Sequence, residues 1–272
     1  MNIDRPIFII GPHRSGTTLL YEILARHPDA GYFNRLNKRF PKSPGIAHLL
    51  TRSMKGDMPM EAQKIWDLSK YCDTDVMDAS NASPEIISYY QNLIEKVLKL
   101  RGAKRFLAKY PRLSLRLSWL DKVFPGAVFI HMKRDWRAVV SSTVKRKLIR
   151  EKKNNKWFGV YIPGRSQMGS LSHVEASARI FQVVTKTIEN ESVQYNGRFF
   201  SLSYEELCKE PLITIKRLAE QCDLAWCSEF VSTIPLDLKS ANFKWKEQLD
   251  RETISHIRSE DPVFFERYED KL

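Results

Sequence analysis

Gly11-Pro12-His13-Arg14-Ser15-Gly16-Thr17-Thr18 gathers in one short stretch the groups that hold an oxyanion. The two glycines let the backbone come close to a ligand, and Ser15, Thr17 and Thr18 offer hydroxyl donors. Arg14 adds a permanent positive charge on a planar fork of donors. The apolar run Ile7-Phe8-Ile9-Ile10 precedes this stretch, and Leu19, Leu20, Ile23 and Leu24 follow it at helical spacing. A loop between a strand and a helix brings successive backbone N–H groups and the positive end of the helix dipole to one point, where a phosphate binds. The spacing from Gly11 to Gly16 equals that of a Walker A loop, yet Thr17 fills the lysine slot and the cation stands at Arg14. A tight glycine turn with no ligand would leave the Arg-Ser-Gly-Thr-Thr cluster unexplained.

Further candidates lie downstream. Ala127 to Met132 reads as a strand and continues into Lys133-Arg134, where a nucleoside triphosphatase would want a carboxylate to help hold magnesium. Asp135 can cap the helix that follows, and Arg134 at the strand end and Ser142 along that helix can converge on one phosphate. Lys109 ends another short strand candidate, Arg105 to Lys109, before Pro111, and Tyr204 follows a late one, Arg198 to Leu202. Taken singly, Lys109 would be a surface residue and Tyr204 a core residue.

Strands alternating with helices (residues 85–100, the segment to Phe124, the Pro211-led stretch through Leu218) predict an α/β fold of the P-loop type. Its three layers are a central, mainly parallel sheet with helices on both sides. With 43% hydrophobic residues and no repeat or low-complexity tract, residues 1–272 are expected to form one domain. Residues 145–172 show no clean period. Lys145, Arg146, Lys147, Arg150, Lys152, Lys153 and Lys156 lead into Trp157-Phe158-Gly159, Tyr161 and Arg165, which reads as a solvated basic loop or a lid over an anionic ligand. No apolar run approaches the roughly 18 residues of a membrane span, and Ile7 to Ile10 is too short for a signal peptide. Cys72, Cys208, Cys222 and Cys227 are scattered without metal-ligand spacing, so no metal is expected and a reducing cytoplasm fits. The net charge of +12 favours anionic partners without choosing among phosphorylated or sulfated ligands, nucleic acid and a membrane face.

With these segments in order, the chain resembles the sulfotransferases that use 3′-phosphoadenosine 5′-phosphosulfate (PAPS), in the branch with an Arg-Ser-Gly-Thr-Thr loop that includes many bacterial members and the tyrosylprotein enzymes. The 5′-phosphosulfate loop of that family matches Arg14 to Thr18 closely and Pro12 to Thr18 loosely. Its 3′-phosphate motif matches Arg134-Asp135-Trp136-Arg137-Ala138-Val139-Val140-Ser141-Ser142, with Trp136 where proline is usual. Ser203-Tyr204-Glu205-Glu206-Leu207 resembles the segment whose tyrosine lies near the nucleotide. Ser240 to Lys246 resembles the late basic loop that closes over the phosphate, with Lys244 and Lys246 as its cations. The resemblance covers residues 7 to about 250, whereas residues 35–85 and 145–175, where such enzymes read their acceptors, match nothing specific.

The resemblance implies sulfuryl transfer from PAPS to a hydroxyl or amine of a carbohydrate, lipid or other small acceptor, with no nucleic acid partner. Arg14 would stabilise the leaving phosphate and Lys109 would assist. The family's proton acceptor is a histidine shortly after that lysine or a glutamate soon after the first helix. Here Tyr110-Pro111 and Tyr32-Phe33-Asn34-Arg35 fill those places. Glu61 and His48, in the unmatched stretch, are the candidates for the base. His13 packs inside the loop or moves a proton there. A kinase-like phosphotransferase and a non-catalytic binder of anionic ligands or nucleic acid stay open as alternatives.

Overall fold

The computed structural model describes residues 3–35, 37, 57–67, 73–154 and 159–270, with the backbone alone for 150–154. His48 lies outside these residues, as do Cys72 and Lys156 to Phe158.

The chain opens with strand β1 (Ile7–Ile10), helix α1 (Thr17–Leu24) and a two-residue strand β2 (Ala30–Gly31). A short helix α2 (Gln63–Trp66) precedes the long α3 (Pro84–Arg101). The limits of α3 follow from its ends: the Ser83 hydroxyl accepts from the Ile86 N–H, Pro84 takes the first helical position, and Gly102 closes the helix in the left-handed region. Then come β3 (Arg105–Lys109), α4 (Leu117–Val123), β4 (Val128–Lys133), α5 (Trp136–Asn154) and α6 (His173–Ser192). β5 (Phe199–Ser203) leads into α7 (Tyr204–Lys209) and α8 (Pro211–Gln221), and the C-terminal region carries α9 (Ser228–Val231), α10 (Arg251–Glu260) and α11 (Pro262–Arg267).

The five strands form one parallel sheet in the order β2-β3-β1-β4-β5. Both faces are covered, which is why the strands read as continuous apolar runs. Phe8, Ile10, Phe106 and Phe129 pack with α3, α4 and α6 on one face. Ile7, Ile9, Val128, Ile130 and Leu202 pack with α1, α7 and α8 on the other. A third cluster joins Trp136 and Val140 of α5 to Phe181 of α6 and to Phe264 and Phe265 of α11. The expected three-layer α/β architecture is present. Two local readings change. Edge strand β2 is too short to leave a periodic signal. Residues 145–154, expected as loop, continue α5: Lys, Arg, Leu and Glu there are all good helix formers, even though the segment lacks an apolar stripe.

His131 is a polar residue inside this core. Its ring is 1% exposed, and neither nitrogen has a hydrogen-bond partner among the described residues. Burial, with a smaller push from Lys133, lowers its pKa to about 3. The unfolded chain takes up a proton at this residue below a pH of about 6.5. The folded chain does not, so this contribution to stability is complete above that pH and is lost as pH falls from there toward 3. The slope is about 1.4 kcal/mol per pH unit. Urea unfolding at pH 6.5 and pH 5 should therefore show the wild type losing about 2 kcal/mol more than His131→Phe; equal losses would contradict a neutral buried ring.

Candidate functional site

Because β1 pairs with β3 on one side and β4 on the other, the chain switches direction across β1, and its C-terminal end opens a crevice of the kind in which α/β proteins bind ligands. The ends of β1, β3, β4 and β5 all point there. A cavity of about 570 Å³ occupies the crevice, lined by His13, Arg14, Gly16, Thr17 and Thr18 of the loop and by Glu61, Lys109, Arg112, Arg134 and Arg146, among others.

The loop is held from below and behind. Ser114 accepts a hydrogen bond from the Gly11 N–H (2.9 Å) and donates to the Gly11 carbonyl (3.1 Å). Gly11 has φ of +148°, and a Cβ there would stand 2.8 Å from the Met132 carbonyl oxygen. Gly16, at φ +98°, leads directly into α1, and a Cβ on it would meet the Tyr204 ring at 2.6 Å. Glycine is therefore required at both positions. Arg14 also has positive φ, 69°, a conformation that costs a non-glycine residue energy and is usual in ligand-binding turns. Buried Ser15 turns its hydroxyl inward onto the Pro12 carbonyl (2.8 Å), so it tightens the loop and does not line the cavity.

Two polar groups of side chains sit in the crevice. In the first, Arg14 Nε donates to Ser142 Oγ (2.9 Å) and Arg134 Nη1 donates to the Arg14 carbonyl (2.8 Å). The Arg134 guanidinium lies 4.0 Å from the centroid of the Tyr204 ring, a cation–π contact. Partial burial lowers the pKa of both arginines, Arg146 adding to the effect at Arg14 and Arg14 itself adding a smaller push at Arg134. Cations crowded against one another in this way are stabilised by an anion between them. Asp135 caps α5, accepting from the N–H groups of Arg137 (2.8 Å) and Ala138 (3.3 Å), which fixes the β4–α5 junction.

In the second group, buried Lys109 donates to Thr18 Oγ1 (2.9 Å) and pairs with the Glu61 carboxylate. Glu61 reaches this point because the chain around Pro59 forms an isolated antiparallel bridge with Asn34, and the Met60 N–H donates to the Phe33 carbonyl (2.8 Å). The acid thus arrives beside the chain position where the sequence resemblance left none.

Lys244 and Lys246 are exposed on the 3-10 turn Asn242–Glu247 and are not among the cavity-lining residues. From that turn it is Asn242 whose side chain reaches the site, accepting from Arg134 Nε (2.9 Å). Neither Asn242 nor Arg146 was singled out as a site residue from the sequence. Arg146 carried a signal, since it stands four residues after Ser142 and so on the same helix face.

A parallel sheet with a glycine-bounded loop, a helix N-terminus and an arginine-tipped neighbouring strand at its switch point makes a crevice suited to an anionic group. A model of the sulfotransferase family matches residues 6–228. The chain belongs to the sulfotransferase family. It is 32% identical to protein-tyrosine sulfotransferase 1 of Danio rerio over 151 residues, covering 54% of this chain and 38% of that protein. It is 26% identical to omega-hydroxy-beta-dihydromenaquinone-9 sulfotransferase Stf3 of Mycobacterium bovis over 253 residues, covering 81% of this chain and 63% of that one. It thus spans less than two thirds of either relative. In fold it is similar to sulfotransferase STF9 from Mycobacterium avium, with a TM-score of 0.68, 15% identity, and coverage of 100% of this chain and 79% of that one.

Proposed function

We propose that this chain moves the sulfuryl group of PAPS to a hydroxyl or amine of a small acceptor, a carbohydrate, a lipid or another small molecule. One observation carries the reading. A single cavity joins the N-terminus of α1 and Lys109 to the crowded Arg14, Arg134 and Arg146, a donor set suited to a nucleotide that is anionic at both its 5′ and 3′ positions. When bound, PAPS supplies the sulfuryl group and a phosphate leaving group. Thr17, Thr18 and the first N–H groups of α1, which lack intrahelical partners, hold the 5′ phosphate. Arg14 and Lys109 put positive charge where negative charge develops as the sulfur–oxygen bond breaks. Ser142 and Arg134 hold the 3′ phosphate, Tyr204 supports Arg134 from behind, and His13 bounds the loop side. Lys244 and Lys246 stand on the turn that would cover the phosphate. Glu61 takes the acceptor proton.

Away from the loop the cavity is lined by Glu61, Gln63, Tyr110 and Arg112 together with Pro111 and Gly159, and the four polar side chains favour an acceptor with several polar groups. A kinase-like reading would need a carboxylate after β4 for magnesium. The Asp135 carboxylate there is 2% exposed and already taken up by Arg137 and the helix cap. Scattered cysteines, of which Cys208, Cys222 and Cys227 are free thiols, support a reducing, cytoplasmic setting.

Titration calorimetry tests the donor. Adenosine 3′,5′-bisphosphate should bind far more tightly than ATP. Arg134→Ala should weaken the bisphosphate roughly 10- to 100-fold, the worth of a charged hydrogen bond, while leaving adenosine 5′-monophosphate within about twofold. Tight ATP binding with no response to the bisphosphate would refute the reading.

A further inference from the structure

Arg134 does not hold its own orientation. Its guanidinium is fixed on one face by the Tyr204 ring, at Nη1 by the Arg14 carbonyl and at Nε by Asn242 Oδ1. Among the described residues no hydrogen bond uses Nη2, and Arg134 lines the cavity, so that edge and the second Nη1 hydrogen are available to a ligand.

Asn242 is 1% exposed, and its amide is set by chemistry alone. Its Nδ2 donates to the Glu205 carboxylate and to Asp270 Oδ2 (3.1 Å). Both partners are acceptors only, so the nitrogen must face them and the oxygen must face Arg134. The two carboxylates are themselves anchored. Glu205 Oε1 accepts from the Asp135 N–H (3.1 Å), and the Asp270 N–H donates to Asp135 Oδ2 (2.9 Å). Trp136 ties the same tail again, through its N–H to the Tyr268 carbonyl (2.9 Å) and through Nε1 to Glu269 (3.1 Å). The C-terminal tail, α7 and the β4–α5 junction therefore meet on one buried amide. Aspartate at this position would set three carboxylates together, and alanine would leave Arg134 Nε without its acceptor.

We infer that Asn242, oriented by Glu205 and Asp270, is the positioning residue that aims the free edge of Arg134, and that it thereby sets how strongly the protein distinguishes nucleotides bearing a 3′-phosphate from those lacking one. This rests on the assignment of Arg134 to the 3′-phosphate. The readout is the ratio of the dissociation constants for adenosine 5′-monophosphate and adenosine 3′,5′-bisphosphate, measured by calorimetry on the full chain; a general loosening of the fold would weaken both ligands and leave the ratio alone. Asn242→Ala should lower the ratio about tenfold. Asp270→Ala, which keeps Asn242 and removes one of its two anchors, should lower it about threefold and serves if the first variant does not fold. In an Arg134→Ala background neither change should lower it further. A ratio that falls in Arg134→Ala but stays at the wild-type value in both single variants overturns this inference alone. A ratio unchanged even in Arg134→Ala overturns the 3′-phosphate assignment, and the inference with it.

Discussion

Glu61→Gln should reduce turnover by about two to four orders of magnitude, the usual worth of general base catalysis, while leaving the affinity for adenosine 3′,5′-bisphosphate within about twofold. The glutamine keeps the shape of the side chain and an oxygen that Lys109 can donate to, so the loop-side geometry survives; what disappears is the ability to take a proton. Glu61 is suited to that task by its place. It lines the cavity, its side chain is 44% exposed, and it touches Lys109, which in turn touches Thr18 at the start of α1. In the proposed roles, base, cation and 5′-phosphate donor would follow one another along this chain of contacts. Turnover is to be measured with radiolabelled PAPS and a hydroxyl acceptor returned by a substrate screen. A variant that keeps its rate but binds the bisphosphate less tightly would show Glu61 to be only the ion-pair partner of Lys109.

Asp75→Ala should cost about 3 to 5 kcal/mol of stability. The Asp75 carboxylate is fully buried, 3.3 Å from both Arg112 Nε and Arg116 Nη2, and accepts the Tyr161 N–H at 2.6 Å. Arg116 is itself 0% exposed, and burial lowers its pKa. Removing the carboxylate leaves positive charge in the interior with too little to offset it. For a chain of this size the melting temperature should drop by about 10 °C. The loss should also reach the cavity wall. The Tyr161 ring lies between the guanidinium groups of Arg112 (4.3 Å) and Arg165 (4.2 Å), and the Asp75 N–H donates to the Tyr161 carbonyl (2.7 Å), so the segment after residue 159 is moored to Asp75. Thermal unfolding by circular dichroism gives the measurement, and a shift of less than 2 °C would show the cluster to be dispensable.

What could be read in the sequence was what the chain encodes locally. The β1 run, the glycines, the cap at Asp135 and the eight-residue step from Arg134 to Ser142 each lie within one strand–loop–helix unit, where periodicity and residue type determine the geometry. Contacts closed by distant segments left no such trace. Glu61 was only one of two candidates until the bridge between Asn34 and Pro59 brought it to Lys109. Asn242 reads as an ordinary loop residue, because its partners Arg134, Glu205 and Asp270 are far away along the chain. The second half of α5 was hidden for a different reason: a helix end rich in charge has no apolar stripe to announce it.

The contact between Gly16 and Tyr204 restricts how the loop can evolve. A side chain at residue 16 would collide with the ring, so it can be accommodated only if residue 204 shrinks, and a smaller residue there would strip Arg134 of the surface it rests on. Neither position can drift alone. Gly16 is thus held in place by an aromatic ring from the edge of the sheet as well as by its own backbone conformation, and a substitution there would be passed through Tyr204 to Arg134.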